Sequence, residues 1–180
     1  WILSGSLPPD VPEDFYAKLI TKLHKHKARV CLDASGKALT YGIQASPYLV
    51  KPNLAEASEE VGFDIKNTED AKRAALYFLR AGVEYFALTM GASGLLLATQ
   101  KEMVYASPPK ITARNSAGSG DALLAAIIYA QMRGLELVEV ARWGVAAGSA
   151  SIETEGVSEF EMDRIHELLE QIDSRVINVL

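Results

Sequence analysis

The stretch Asn115-Ser-Ala-Gly-Ser-Gly-Asp121 runs directly into Ala122-Leu-Leu-Ala-Ala-Ile-Ile-Tyr-Ala130. A glycine-rich turn therefore opens a strongly apolar helix, and Asp121 is the one carboxylate at the junction. The N–H groups at a helix start attract anions, above all phosphate, and glycine lets the backbone approach such a ligand closely. An aspartate beside an anion site is explained if it takes a proton from a hydroxyl group that attacks the phosphate.

The same stretch has a plainer interpretation. An aspartate is common in the first turn of any helix, because its charge complements the helix dipole. Short glycine motifs also occur by chance. The segment alone leaves both interpretations open, and the rest of the chain has to decide between them.

Composition limits the classes of protein and partner. The chain has 180 residues, of which 49% are hydrophobic and 23% charged, and a net charge of -5. This size predicts one α/β domain over residues 1–180, and the acidic balance argues against nucleic acid or an anionic membrane as a partner. No apolar run reaches the roughly 20 residues of a membrane span. The single cysteine, Cys31, excludes an internal disulfide and fits a reducing, cytoplasmic location.

Apolar periodicity and turn residues predict strands that alternate with helices. The predicted strands are residues 2–3, 29–32, 48–51 and 85–89, followed by a hairpin of residues 94–99 and 102–106. The predicted helices are residues 13–27, 39–44, 54–61, 68–81 (with Thr68 as cap), 120–133, 137–152 and 159–172. Residues 176–180 are interpreted as a last strand or a tail. This order predicts an α/β fold with a mainly parallel sheet.

Polar loops follow the predicted strands at the end where such sheets bind ligands. They are Ser4-Gly5-Ser6, Asp33, Lys51-Pro52-Asn53, Thr89-Met90-Gly91 and, after the hairpin, Asn115 to Asp121. Five polar loops on one edge favour a ligand site over coincidence.

The segment Lys51-Pro-Asn-Leu-Ala-Glu56 combines two possible uses. Lys51 is a point charge suited to a nucleotide phosphate. Asn53 and Glu56 lie three residues apart on one helical face and can hold a hydrated Mg²⁺. The same two residues also match a capping box, which is the favoured interpretation in isolation. Both uses can hold together.

Two other glycine-containing segments have paired interpretations. Thr89, Gly91 and Gly94 can contact a nucleotide or make a tight turn. The segment Trp143-Gly-Val-Ala-Ala-Gly-Ser149 can form a flat slot for a planar base or pack closely against the sheet. The three histidines have no ligand spacing, so no zinc site and no serine hydrolase triad is predicted.

These blocks, in this order, resemble the ribokinase-like (PfkB-type) carbohydrate kinases, most closely the 1-phosphofructokinase and tagatose-6-phosphate kinase branch. The matching stretches are Leu3 to Pro9, Lys51 to Glu56, Thr89 to Gly91, Asn115 to Asp121 and Gly144 to Ser149. The resemblance implies a three-layer α/β/α fold. It implies ATP-dependent phosphorylation of a sugar phosphate hydroxyl, with fructose 1-phosphate or tagatose 6-phosphate as the acceptor.

The resemblance also implies roles for individual residues. Asp121 matches the catalytic base, and the backbone of Ala117, Gly118, Ser119 and Gly120 matches the anion hole that steadies the transferring phosphoryl group. Asn53 and Glu56 match a motif linked indirectly to Mg²⁺. The nucleotide-contacting positions are Lys51, Asn53, Glu56, Thr89, Gly91, Gly94, Val145 and Ser149. Ser4, Gly5 and Ser6 match a loop near the sugar, and Asn115, Ala117 and residues 151–156 resemble a K⁺ site.

Two departures from the family pattern matter. Ser119 stands where many members have alanine, which is a small change. The family's N-terminal portion, with its sugar-binding segment and its β-sheet lid, has no counterpart, so we expect the C-terminal part of a longer kinase that alone can be inactive. The lid often mediates dimerisation, so a homodimer is an expectation despite its absence. Two alternatives stay open: a nucleoside or other small-alcohol kinase, and a non-catalytic nucleotide-binding module, against which an intact Asp121 argues.

Overall fold

The computed structural model describes residues 1–156 and 160–178. These residues group into two compact units. The first contains Trp1–Thr89 together with Ala98–Lys101, and the second contains Met90–Leu97 together with the chain from Glu102 onward. The expectation of one domain over residues 1–180 stays a prediction.

The first unit carries four parallel strands that pair in chain order. The strands are β1 (Ile2–Ser4), β2 (Cys31–Asp33), β3 (Leu49–Val50) and β4 (Tyr85–Thr89), and the helices are α1 (Phe15–His24), α2 (Gly36–Gln44), α3 (Leu54–Val61) and α4 (Thr68–Arg80). Ile2 lies opposite Cys31, Leu32 opposite Val50, and Val50 opposite Phe86. Because all four strands are parallel, their carboxyl ends lie along one edge.

Helix α4 shows how the sequence pattern becomes packing. Its alanines and Phe78 are spaced to face inward, and Phe78 stacks on Phe86 of β4 with ring centroids 4.5 Å apart. The predicted cap, Thr68, is wrong by one residue. Asn67 is the N-cap, and its side-chain oxygen accepts the Asp70 N–H at 2.9 Å. Asparagine in an extended conformation reaches the third helical N–H, whereas Thr68 is already the first helical residue.

Helix α3 has the predicted bounds and the predicted end. It closes at Gly62, whose φ of 75° places it in the left-handed region that glycine adopts without strain. Helix α2 begins at Gly36, three residues before the predicted start. Helix α1 is shorter than predicted at both ends.

The second unit carries strand β5 (Leu95–Ala98) up to Leu97, and strands β6 (Met103–Ser107) and β7 (Asp173–Ile177). Strand β7 runs antiparallel to β6, with Met103 opposite Ile177 and Ser107 opposite Asp173. The C-terminal segment therefore includes a strand that begins before the predicted residue 176, while residues 179–180 lie outside the described residues. The helices are α5 (Ser119–Met132), α6 (Leu137–Ile152) and α7 (Met162–Leu169). Helix α7 is shorter than the predicted 159–172, whose first residue is also outside the described part.

Two glycines bring α5 and α6 close together. A Cβ added at Gly144 would lie 2.9 Å from Cγ1 of Ile127, and one added at Gly148 would lie 3.4 Å from the Ser119 carbonyl oxygen. The small residues of α6 therefore permit helix–helix contact with α5. This contact accounts for the two glycines without a ligand.

The described part of the chain contains no helix that is both long and apolar enough to cross a membrane.

Candidate functional site

The loop after β1 is fixed by two neighbours in the first unit. The Gly5 N–H donates to the Asp33 carbonyl at 3.0 Å, so the loop leaves the sheet beside the end of β2. The hydroxyl of buried Tyr16 lies 3.0 Å from the carbonyl oxygens of both Ser4 and Gly5. Ser4 and Gly5 are thus held in place at the sheet edge, and Ser6 is exposed.

Lys51 lies at the end of β3 and is buried. Its Nζ is 3.0 Å from Oδ2 of Asp33, which ends the neighbouring strand β2. The predicted phosphate ligand therefore has a carboxylate partner in this structure. A buried ammonium needs such a partner because removal from water destabilises an isolated charge.

Asn53 and Glu56 form the complete capping box of α3. The Asn53 side-chain oxygen accepts the Glu56 N–H at 3.0 Å, and Oε2 of Glu56 accepts the Asn53 N–H at 2.9 Å. Thr89 joins them, because it bridges Asn53 in parallel register and its N–H donates to the Pro52 carbonyl at 3.0 Å. The structure therefore brings Lys51, Asn53, Glu56 and Thr89 to one edge of the first unit.

The donor set at this edge fits Mg²⁺ only through water. No cluster of three or more histidine, cysteine, aspartate or glutamate side chains suited to a metal occurs among residues 1–156 and 160–178. The cap occupies Oε2 of Glu56, whereas Oε1 takes no part in it. A hydrated Mg²⁺ keeps several waters and needs few protein oxygens, so one amide and one carboxylate are suitable partners for its waters.

In the second unit, the glycine-rich turn leads into α5 through a left-handed residue. Gly118 has a φ of 78° and occupies the N-cap position, where it has no side chain to cover the helix start. The Ser119 hydroxyl donates to the Ser116 carbonyl at 2.9 Å, and the Ala117 N–H donates to Oδ1 of Asn115 at 3.0 Å. Within the described residues, the N–H groups of Gly118 and Gly120 donate to no protein oxygen. Two backbone donors at a helix start suit an anion.

Asp121 lies in the first turn of α5, directly after these donors, and its side chain is exposed. An exposed carboxylate beside an anion-binding turn can accept a proton from a bound hydroxyl group. The predicted catalytic residues Gly118, Ser119, Gly120 and Asp121 are therefore consecutive at one helix terminus.

The turn is held from the far end of α6. The Ile152 carbonyl accepts the N–H groups of Arg114 at 2.7 Å and Asn115 at 3.2 Å, and Nδ2 of Asn115 donates to the Glu155 carbonyl at 3.2 Å. Both polar atoms of the Asn115 side chain therefore already have protein partners, Nδ2 with the Glu155 carbonyl and Oδ1 with the Ala117 N–H. Any K⁺ contact from Asn115 and Ala117 would have to come from their main-chain carbonyls.

The remaining predicted nucleotide contacts lie in two places. Gly91 is exposed, whereas Gly94 is buried and its N–H closes a tight turn onto the Gly91 carbonyl at 2.9 Å. A Cβ at Gly94 would lie 2.0 Å from the Ala106 carbonyl oxygen, so the turn alone explains this glycine. Val145 and Ser149 are buried within α6. Their assignment as nucleotide contacts stays a prediction.

Sequence reasoning missed three groups that hold these segments in place. They are Asp33 as the partner of Lys51, Tyr16 under the β1 loop, and Arg164 of α7, which binds Glu153 at the end of α6. Asp33 directly follows a predicted strand, so the sequence did indicate that it lies at the ligand-binding edge of the sheet. Tyr16 and Arg164 contact residues that are 11 or more positions away in the chain, and local sequence patterns carry no information on such partners.

A protein-family model matches the chain. Residues 2–164 match the model of the pfkB family carbohydrate kinases. This match covers most of the chain, including both the Lys51 to Glu56 segment and the glycine-rich turn.

Two curated relatives are both described as 1-phosphofructokinases. The chain is 40% identical over 147 residues to a 1-phosphofructokinase of Rhodobacter capsulatus, covering 81% of the chain and 46% of the relative. It is 34% identical over 169 residues to a 1-phosphofructokinase of Bacillus subtilis, covering 93% and 56%. The chain therefore spans about half the length of the curated relatives that it matches.

A solved structure shares the fold. Phosphofructokinase-2 from Escherichia coli, in a complex with potassium, superposes with a TM-score of 0.88 and 29% identity, covering 94% of the chain and 55% of that protein. The predicted fold class, a ribokinase-like α/β fold with a mainly parallel sheet, is confirmed by this likeness.

Proposed function

Because the chain belongs to the pfkB family of carbohydrate kinases, we propose that the full protein transfers the γ-phosphoryl group of ATP to a hydroxyl group of a sugar phosphate. Fructose 1-phosphate is the preferred acceptor in this proposal and tagatose 6-phosphate the second. The two relatives named 1-phosphofructokinase support the first acceptor.

The observation that carries the proposal is the position of Asp121. Its exposed carboxylate comes directly after two N–H groups, of Gly118 and Gly120, that donate to no oxygen of the described chain. A site that only binds phosphate gains nothing from a carboxylate, because like charges repel. A phosphoryl transferase needs both, since the attacking hydroxyl loses a proton and the transferring group carries negative charge.

In the proposed reaction, Asp121 accepts the proton of the acceptor hydroxyl while that oxygen attacks the γ-phosphorus in line. Within the second unit, the N–H groups of Gly118 and Gly120 would donate hydrogen bonds to the phosphoryl oxygens. For the first unit we propose separately that Lys51 contacts a nucleotide phosphate. Mg²⁺ bound with ATP would neutralise charge on the phosphates. Asn53 and Glu56 would hold its water ligands. K⁺ near Asn115 and Ala117 is the further cofactor that we propose.

The experiment is an acceptor panel with the full-length protein. ADP release is measured with fructose 1-phosphate, tagatose 6-phosphate, fructose 6-phosphate and a nucleoside, each with Mg·ATP, with and without K⁺. Turnover that depends on fructose 1-phosphate and is absent from the Asp121→Asn variant supports the proposal. Turnover with the nucleoside alone would replace it with the nucleoside kinase alternative. Binding of Mg·ATP without ADP release from any acceptor would make the protein a nucleotide-binding module.

The assembly proposed for the full protein is a homodimer. Sedimentation of the full-length protein measures it directly, and a single monomeric species at micromolar concentration would contradict it.

A further inference from the structure

Arg164 of α7 binds Glu153, the C-cap residue that follows α6, through two hydrogen bonds. Its Nε lies 2.8 Å from Oε2 and its Nη2 lies 2.9 Å from Oε1. Such a two-bond arrangement fixes the orientation of both side chains, because the guanidinium group is planar and rigid. About a quarter of the Glu153 side chain, 24%, is exposed, so the pair is partly shielded from water.

Glu153 lies in a short turn, residues 152–156, in which Thr154 makes two local contacts. The Thr154 hydroxyl oxygen lies 2.9 Å from the Ser151 carbonyl oxygen and 3.0 Å from that of Gly156. Thr154 therefore ties the two sides of the turn together. A change in the position of Glu153 would shift the turn as one piece.

The 152–156 turn supplies the carbonyls that hold the segment before the glycines. The Ile152 carbonyl accepts two N–H groups, from Arg114 and Asn115, and the Glu155 carbonyl accepts Nδ2 of Asn115. The other end of the same amide, Oδ1, accepts the Ala117 N–H at 3.0 Å. Hydrogen bonds, together with the backbone of residues 152–155, therefore connect Arg164 to Ala117, the residue before Gly118.

We propose that the Glu153–Arg164 pair is a positioning element for the glycine-rich turn that precedes Asp121. The pair holds the 152–156 turn, and this turn, through Asn115, sets the direction of the backbone N–H groups at the start of α5. The inference rests on the proposed kinase function for its catalytic consequence. Neither side chain touches the reacting groups, so both are positioning residues.

A matched control is present in the same ion-pair cluster. Arg164 also binds Glu167 through Nη1 at 2.6 Å, and the Glu167 side chain is 64% exposed. Glu167 lies on the same helix as Arg164 and, among the described residues, forms no hydrogen bond or ion pair with the 152–156 turn. Glu167→Gln therefore removes one charge from Arg164 without removing the link to the turn.

The first test measures the steady-state kinetics of the full-length protein. We expect Glu153→Ala to lower kcat about tenfold to a hundredfold, because small displacements of catalytic groups have effects of this size. We expect the KM for ATP to change less than threefold. Glu167→Gln should keep kcat within twofold of the wild type, and the charge-swapped double variant, Glu153→Arg with Arg164→Glu, should recover much of the loss. An unchanged kcat in a folded Glu153→Ala protein would overturn the proposal.

The second test needs no kinase activity. Hydrogen exchange is measured by mass spectrometry on peptides that cover residues 112–118, and Glu153→Ala should speed exchange there about tenfold while the centre of α5 stays protected. If Glu153→Ala does not fold, the milder Glu153→Gln replaces it with the same expected direction. Unchanged exchange at 112–118 overturns the coupling even when kinase activity is present. Faster exchange in a protein without turnover supports the coupling and refutes only the proposed reaction.

Discussion

The Nζ atom of Lys51 lies 3.0 Å from Oδ2 of Asp33, and Lys51 is only 6% exposed to solvent. The two residues lie at the ends of adjacent parallel strands, so the ion pair links the carboxyl ends of β2 and β3. A charge buried to this degree is destabilising without its partner. The pair therefore contributes to the folded state as well as to any phosphate site that Lys51 serves.

We predict that Asp33→Ala lowers the free energy of unfolding by about 3 kcal/mol, because it leaves the Lys51 ammonium buried without a counter-charge. The double variant Asp33→Leu with Lys51→Met should lose less. Urea unfolding of the full-length protein measures both. The control is Glu13→Ala, which breaks the exposed pair between Glu13 and Lys37 and should change stability by less than about 1 kcal/mol. Equal losses for Asp33→Ala and Glu13→Ala would refute the structural role.

A second prediction separates the capping role of Glu56 from its charge. Glu56→Gln keeps a side-chain oxygen that can accept the Asn53 N–H, so stability should change by less than about 0.5 kcal/mol. The lost charge should raise the Mg²⁺ concentration needed for half-maximal turnover several-fold. Asn53→Ala, in contrast, should lower stability by about 1 kcal/mol through loss of the cap. If the Mg²⁺ dependence of Glu56→Gln is unchanged, Glu56 acts only as part of the helix cap.

The two glycines of the turn after β4 should respond differently to substitution. Both have left-handed backbones, with φ of 56° at Gly91 and 93° at Gly94. An added Cβ at Gly94 would lie 2.0 Å from the Ala106 carbonyl oxygen, whereas at Gly91 nothing lies within 4 Å. We predict that Gly91→Ala lowers the free energy of unfolding by about 1 kcal/mol. Gly94→Ala should lower it by at least about 3 kcal/mol, because the backbone at Ala106 has to move. Thermal unfolding of the two variants gives the comparison, and similar shifts in Tm would contradict it.

The Asp121→Asn variant should lower kcat by about a hundredfold to ten-thousandfold, because asparagine cannot accept the proton. Since Asp121 is exposed, stability should stay within about 0.5 kcal/mol of the wild type. Calorimetric binding of Mg·ATP should be preserved. Turnover close to that of the wild type would exclude Asp121 as the base.

Cys31 should be unreactive in the folded protein. The thiol is buried, with 4% of the residue exposed, and this burial raises its pKa to about 11. At pH 8 roughly one thiol in a thousand is then ionised, and only the thiolate is nucleophilic. We expect iodoacetamide to leave the native protein unmodified over an hour and to add one group per chain after denaturation, as measured by intact mass. Rapid modification of the native protein would show that the strand opens.

The sequence predictions succeeded where a feature depends on residues that are close together in the chain. Helix α3 has its predicted bounds because both signals, the Asn53 cap and the Gly62 stop, lie within the segment itself. The α/β fold with a mainly parallel sheet was predictable because alternating strands and helices leave few topologies. The ribokinase-like class came from the resemblance of the motifs to that family. The cap of α4 was misplaced because Asn67 and Thr68 are both good capping residues, and only the backbone conformation distinguishes them.

Features that depend on distant partners were not predictable. The sequence places Asp33 and Lys51 at the ends of two strands, but it does not indicate that their side chains form an ion pair. The small residues of α6 were predicted to form a base-binding slot or to pack on the sheet. Gly144 and Gly148 instead face α5, a partner that helical periodicity cannot identify. The assigned roles of Lys51, Val145 and Ser149 toward a nucleotide stay predictions.

The close contact of α5 and α6 has a mechanical consequence. Gly148 lies against Ser119 and Leu123, one turn or less from Asp121, and Gly144 lies against Leu123 and Ile127 further along the same helix. Because α5 and α6 touch at both Gly144 and Gly148, neither helix can shift without moving the other. A larger side chain at Gly144 would therefore push against Leu123 and Ile127, and so against the helix whose first turn carries Asp121, without contacting Asp121 itself.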